Sequence, residues 1–124
     1  MKTNWRQNLH LYISISVVTT AALVYGFQPD LLFEISTQTT DESNIYKAIM
    51  GLYLCFAAFW VIGLKHSSYR KAATLSNMLF MFGLASGRLI SFAIDGMPSA
   101  VLLLGTLGEL IIAVYAYRQL KKAN

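Results

Sequence analysis

Four apolar stretches, residues 9–27, 45–64, 72–94 and 99–117, decide most of what this chain can fold into. They are 19, 20, 23 and 19 residues long, and a helix needs about 20 predominantly apolar residues to cross the hydrocarbon core of a bilayer. Of the ten Lys and Arg and six Asp and Glu residues in the chain, only Lys47, Arg88 and Glu109 fall inside them. A soluble domain carries about 25% charged residues; this chain of 124 residues carries 13%, with 56% hydrophobic residues and a positive mean hydropathy. The expected fold is all-α: one integral membrane four-helix bundle over residues 1–124, with helices at the four stretches and an outer loop at 28–44.

The charges outside the stretches sort by side. Lys2 and Arg6, then Lys65, Arg70 and Lys71, then Arg118, Lys121 and Lys122 belong to one end of such a bundle. Asp30, Glu34, Asp41, Glu42 and Asp95 belong to the other. Cytoplasmic segments collect Lys and Arg, so both termini are expected in the cytoplasm. The net charge of +4 then sits on rims that meet anionic headgroups, and the bilayer itself is the first expected partner. No basic run is long or interleaved with stacking aromatics, so nucleic acid is not an expected partner. A cleavable signal peptide over residues 1–27 is disfavoured, because the apolar run exceeds the usual length and no small-x-small cleavage site follows it.

The candidate site lies in residues 82–112. Arg88 and Glu109 each stand inside an apolar run, where a charge costs about 2.5 to 3.5 kcal/mol near the bilayer centre and is usually paired or turned toward a cavity. A turn centred between Gly96 and Met97 would set Arg88 level with Gly105 on the next helix and leave Glu109 about one turn, roughly 6 Å, deeper. Each Cα–Cβ bond tilts toward its own helix N-terminus, so the two side chains lean toward each other. Ser91 and Asp95 follow Arg88 on its own face. Gly105 leaves room one turn from Glu109, on a face with Leu102, Ala113 and Ala116. The expectation is a polar pocket opening outward.

Lys47 shares a helical face with the small residues Gly51, Cys55 and Ala58, whereas Tyr46, Tyr53 and Trp60 recur as a bulky stripe. That pattern favours Lys47 facing the bundle as a third polar group of the pocket. Gly83 and Gly87 form a GxxxG pair, and with Gly51 and Gly105 they are candidate sites of close helix packing, internal contact being the expectation. Ser14, Ser16, Thr19 and Thr20 on the first helix are expected to bond backbone carbonyls or a neighbour. His10 reads as an interfacial side chain, with a proton shuttle as the lesser alternative, and Cys55 as a small space-filling one. In the outer loop, Leu31, Leu32, Phe33 and Ile35 are apolar enough to lie at the interface or fold over the bundle mouth, with a plain connector as the equal alternative. His66 has no partners at metal-ligand spacing, and no metal site or cofactor is expected.

Lys47-Ala48-Ile49-Met50-Gly51, the Phe82-Gly83-Leu84-Ala85-Ser86-Gly87-Arg88-Leu89-Ile90-Ser91 segment, Asp95-Gly96-Met97-Pro98 and Glu109-Leu110 together resemble domain of unknown function family 4345, small bacterial four-helix membrane proteins. The resemblance implies a topology and a candidate site, and it implies no reaction; the expected location is a bacterial inner membrane.

No phosphate loop, HExxH, paired Cys or GxSxG elbow is present, so nucleotide hydrolysis, zinc proteolysis, thiol redox chemistry and common serine hydrolysis lack their parts. Three readings remain. In the first, Arg88 and Lys47 hold the acidic head of a lipid or small amphipathic ligand. In the second, the protein is an accessory or oligomeric structural subunit of a membrane complex, its buried pair fixing helix register. In the third, a membrane enzyme uses Glu109 as acid or base. No catalytic residue is assigned.

Overall fold

The computed structural model describes residues 5–123, so Lys2 lies outside it. A 3-10 turn at Trp5–Asn8 leads into four helices: α1 (Leu9–Phe27), α2 (Thr40–Lys65), α3 (Ser67–Asp95) and α4 (Ala100–Ala123). All four are long and apolar enough to cross a membrane. The described residues contain no strand.

Three of the helices outrun the apolar stretches that announced them, because hydropathy marks only the part embedded in hydrocarbon. The α2 helix starts at Thr40, shortening the expected 28–44 loop. Thr39 caps it by accepting a hydrogen bond from the Glu42 N–H at 3.1 Å, while the Glu42 carboxylate accepts from the Gln38 N–H at 2.8 Å. The expected inner loop shrinks to His66, since α3 already begins at Ser67. Arg70 makes that possible by donating from Nε to the Gly63 carbonyl at 3.2 Å and from Nη2 to the Leu64 carbonyl at 2.9 Å, satisfying the open carbonyl end of α2. At the far end, Lys121 and Lys122 occupy the last turn of α4, where cations suit the helix dipole.

Consecutive helices are antiparallel neighbours, so α1 runs parallel to α3. The α1–α2 and α3–α4 pairs pack over most of their length, α2 packs on α3, and α1 meets α3 and α4 more sparingly. The core holds Leu11, Val18 and Ala22 of α1, Tyr53 and Trp60 of α2, Ala73 and Met81 of α3, and Ala113 of α4. Phe80 stands among Tyr53, Phe56 and Trp60, with ring centroids 5.1 to 5.2 Å away. The Trp60 indole N–H donates to Ser76 Oγ at 3.0 Å, and that hydroxyl donates in turn to the Ala73 carbonyl at 2.8 Å.

This packing reverses the expected orientation of α2. The aromatic stripe faces inward, because large rings release the most surface and find partners on α3; Lys47, Gly51, Cys55 and Ala58 lie on the exposed face. The same correction applies to the other glycines singled out. A Cβ added at Gly51, Gly83, Gly87 or Gly105 would meet nothing within 4 Å, so none of them is a close contact inside the four-helix unit. Close approach falls instead at Gly63, where an added Cβ would come 2.4 Å from that of Ala73, and at Gly26, where it would strike the Met50 side chain.

Candidate functional site

The turn between α3 and α4 aligns the charged pair. Gly96 takes φ +95°, a left-handed backbone that favours glycine and stops α3. Pro98 follows, and the Ser99 carbonyl accepts from the Leu102 and Leu103 N–H groups to start α4. The two helices then descend side by side. Arg88 Nε donates to both Glu109 carboxylate oxygens, at 3.0 Å to Oε1 and 3.2 Å to Oε2. The side chains are 21% and 13% exposed, so the pair is largely withdrawn from the surface while still reaching a cleft. Because Glu109 is engaged through Nε, the terminal Nη groups of Arg88 are not used by the carboxylate. Tyr25 of α1 interacts with Arg88 from across the bundle.

A cleft of about 370 Å³ opens beside the pair. Tyr25, Phe33, Tyr53, Arg88, Gly105 and Glu109 line it, together with apolar residues of α1 and α4 such as Val17 and Leu104. It occupies the gap between α1 and α4. These helices meet at the opposite end, where the rings of His10 and Tyr115 lie 5.7 Å apart and the Tyr115 hydroxyl donates to the Arg6 carbonyl.

Not every residue singled out in the sequence reaches this cleft. Ser91 donates to Asp95 Oδ2 at 2.8 Å, and the two form a local bond at the end of α3, with Asp95 exposed. Lys47 is exposed and does not line the cleft, for the reason given by the packing of α2. The loop contributes Phe33, which is buried and stacks on Tyr25 at 4.8 Å, while Leu31 and Leu32 stay exposed. Among the described residues no group of three or more His, Cys, Asp or Glu side chains could hold a metal ion.

Tyr25 and Tyr53 were not read as site residues from the sequence. A signal existed for the first: Leu11, Ser14, Val18, Ala22 and Tyr25 recur every three or four residues and mark the inward face of α1. His10 was also misplaced, since it is buried rather than interfacial and its Nε2 lies 3.0 Å from Thr74 Oγ1. The hydroxyls of α1 divide: Ser16 and Thr20 donate to the carbonyls four residues back, at 3.1 and 2.9 Å, whereas Ser14 is fully buried.

Four membrane-length helices, with an Arg–Glu pair held between the last two beside a cleft, define an integral membrane protein of the small helical-bundle class. Within that class the chain belongs to the family described as Domain of unknown function (DUF4345), which matches residues 7–119. No curated protein and no solved structure matches it.

Proposed function

We propose that the protein binds an amphipathic molecule with an acidic head, admitted sideways from the bilayer through the gap between α1 and α4. The observation that carries this reading is the place of Arg88: it lines the cleft while Glu109 engages it through Nε alone, so the guanidinium keeps further donors for an acidic head beside Tyr25. Two acceptors on one guanidinium is ordinary chemistry, since the group presents five N–H donors in a fixed fork. Tyr25 stands close to the head position, and Val17, Ala21 and Leu104 offer the tail an apolar wall. Lys47 has no part in this site. In the proposed orientation the basic helix ends face the cytoplasm and the cleft lies in the outer half; a reporter after Asn124 should then read cytoplasmic, and one inserted at Thr39 external.

The test is mass spectrometry of lipids and small molecules retained after gentle extraction. An anionic amphipath should remain with the native protein and with Lys47→Gln. It should be lost from Arg88→Gln and from Gly105→Leu, which fills the cleft while leaving the ion pair in place. Equal retention by all four proteins would overturn the reading.

A second reading has its own observation. The Gly83 and Gly87 face of α3 points away from the bundle with open space above it, which admits a helix from another chain. Under this alternative, Gly83→Leu with Gly87→Leu should abolish self-association or capture of a larger membrane complex, while ligand retention stays unchanged.

A further inference from the structure

One group of polar atoms is left over by everything described so far. His10 Nδ1, Ser14 Oγ and both amide atoms of Asn77 are buried and have no protein hydrogen-bond partner. The residues are 2%, 0% and 0% exposed, and Thr74, bonded to His10, is 5% exposed. In a bundle surrounded by hydrocarbon, each unmet polar group of this kind costs several kcal/mol, so partners are required.

Helix register places these buried residues at similar heights in the bundle. The 3.0 Å contact between His10 and Thr74 sets the relative height of the parallel helices α1 and α3. Ser14 stands four residues beyond His10 and Asn77 three beyond Thr74, so at about 1.5 Å per residue the two differ in height by roughly one residue. Both are fully buried. A cluster of a hydroxyl, an amide and an imidazole suits water, which needs two to four polar neighbours, on the order of what these side chains supply.

The cluster is flanked by a polar side and an apolar side. Thr74 and Asn8 line a second cleft of about 370 Å³, shared with Arg70, Lys71 and Lys122 at the basic end of the bundle. In the other direction, one helical turn beyond Ser14 and Asn77, come Val18 and Met81. These two are buried, and they also line the Arg88–Glu109 cleft. A single apolar layer therefore separates two polar regions that approach it from opposite ends.

We propose that Asn8, Thr74, His10, Ser14 and Asn77 form a hydrated half-path, which carries water and protons from the basic end to mid-bundle and is closed there by Val18 and Met81. His10 is suited to such a path because Nε2 is bonded to Thr74 while Nδ1 is open to water: a proton accepted at one nitrogen is balanced by release from the other. The groups that meet it are Tyr115 from α4 and Thr74 from α3, and Thr74 in turn lines the cleft that holds Arg70, Lys71 and Lys122. Nothing in this proposal depends on a ligand at Arg88.

The experiment is cysteine accessibility in proteoliposomes of known orientation, in a Cys55→Ala background, with a small membrane-impermeant methanethiosulfonate cation applied to one face at a time. Ser14→Cys and Asn77→Cys should label from the face bearing the basic helix ends and not from the other, while Met81→Cys should label only from the opposite face. Absence of labelling at both cluster positions from either face, or labelling from the Arg88 side, would overturn the half-path. A second readout does not depend on those substitutions: in His66→Gln protein with isotope-labelled histidine, the imidazole of His10 should show magnetisation transfer from water, and its absence would overturn the proposal equally.

Discussion

The two polar regions of this bundle are opposites. The outer one, in the orientation proposed above, is charged, joined by two hydrogen bonds and open along one side to a cleft; the inner one is neutral, buried and left with four polar atoms that have no protein hydrogen-bond partner. The difference teaches where the cost of polarity is borne. An Arg and a Glu cannot both be buried without finding each other, so the α3–α4 hairpin resolves the conflict internally. Neutral side chains cost less to bury than charges, and here they are buried without a protein partner.

Breaking the outer pair should give the largest effect. Arg88→Met should lower stability in detergent or nanodiscs by about 3 to 5 kcal/mol, by leaving Glu109 as an unpartnered buried carboxylate. Glu109→Gln should also destabilise, because the guanidinium it strands cannot shed its proton, and the double substitution should recover much of the loss. A double-mutant cycle on unfolding free energies measures the coupling; additivity within about 0.5 kcal/mol would mean that the two residues act separately.

The inner region should respond differently. If it is hydrated, Asn77→Leu strands the hydroxyl and the imidazole that shared its water and should lower stability by about 1 to 3 kcal/mol. A higher melting temperature for Asn77→Leu would instead mark a dry, frustrated cluster and erase the contrast. Packing sharpens the comparison further. Gly63→Ala sets a methyl against Ala73 and should cost on the order of 1 to 2 kcal/mol by overpacking, whereas Gly83→Ala enters open space and should cost nothing in the isolated bundle, as thermal unfolding of both variants would tell. The smallest expected effect is at the loop: Thr39→Ala removes the cap of α2 and should cost about 1 kcal/mol, with hydrogen exchange rising first at Asp41 and Glu42.

How much of this was legible in the sequence depended on charge. The four helices and the Arg88–Glu109 contact could be read because a charge in an apolar run is expensive and a short Asp-Gly-Met-Pro turn leaves few ways to answer it. The α2 face was misread because small residues admit a close neighbour equally well from inside the bundle or from another chain, and sequence spacing does not say which. What decided the matter was Phe80, on a different helix, which supplies the surface that Tyr53, Phe56 and Trp60 cover. Asn77 escaped notice for the opposite reason: one neutral amide does not interrupt a hydropathy profile. Helix ends were missed because Thr39 and Arg70 act through backbone groups, which no apolar count detects.

The junction at His66 has a consequence for how the bundle can bend. One residue between α2 and α3, tied across by Arg70, leaves those two helices little slack to separate at that end. By contrast, residues 28–39 join α1 to α2 by a longer tether, so the unequal lengths of two connectors make α2 and α3 the stiffer hinge of the bundle.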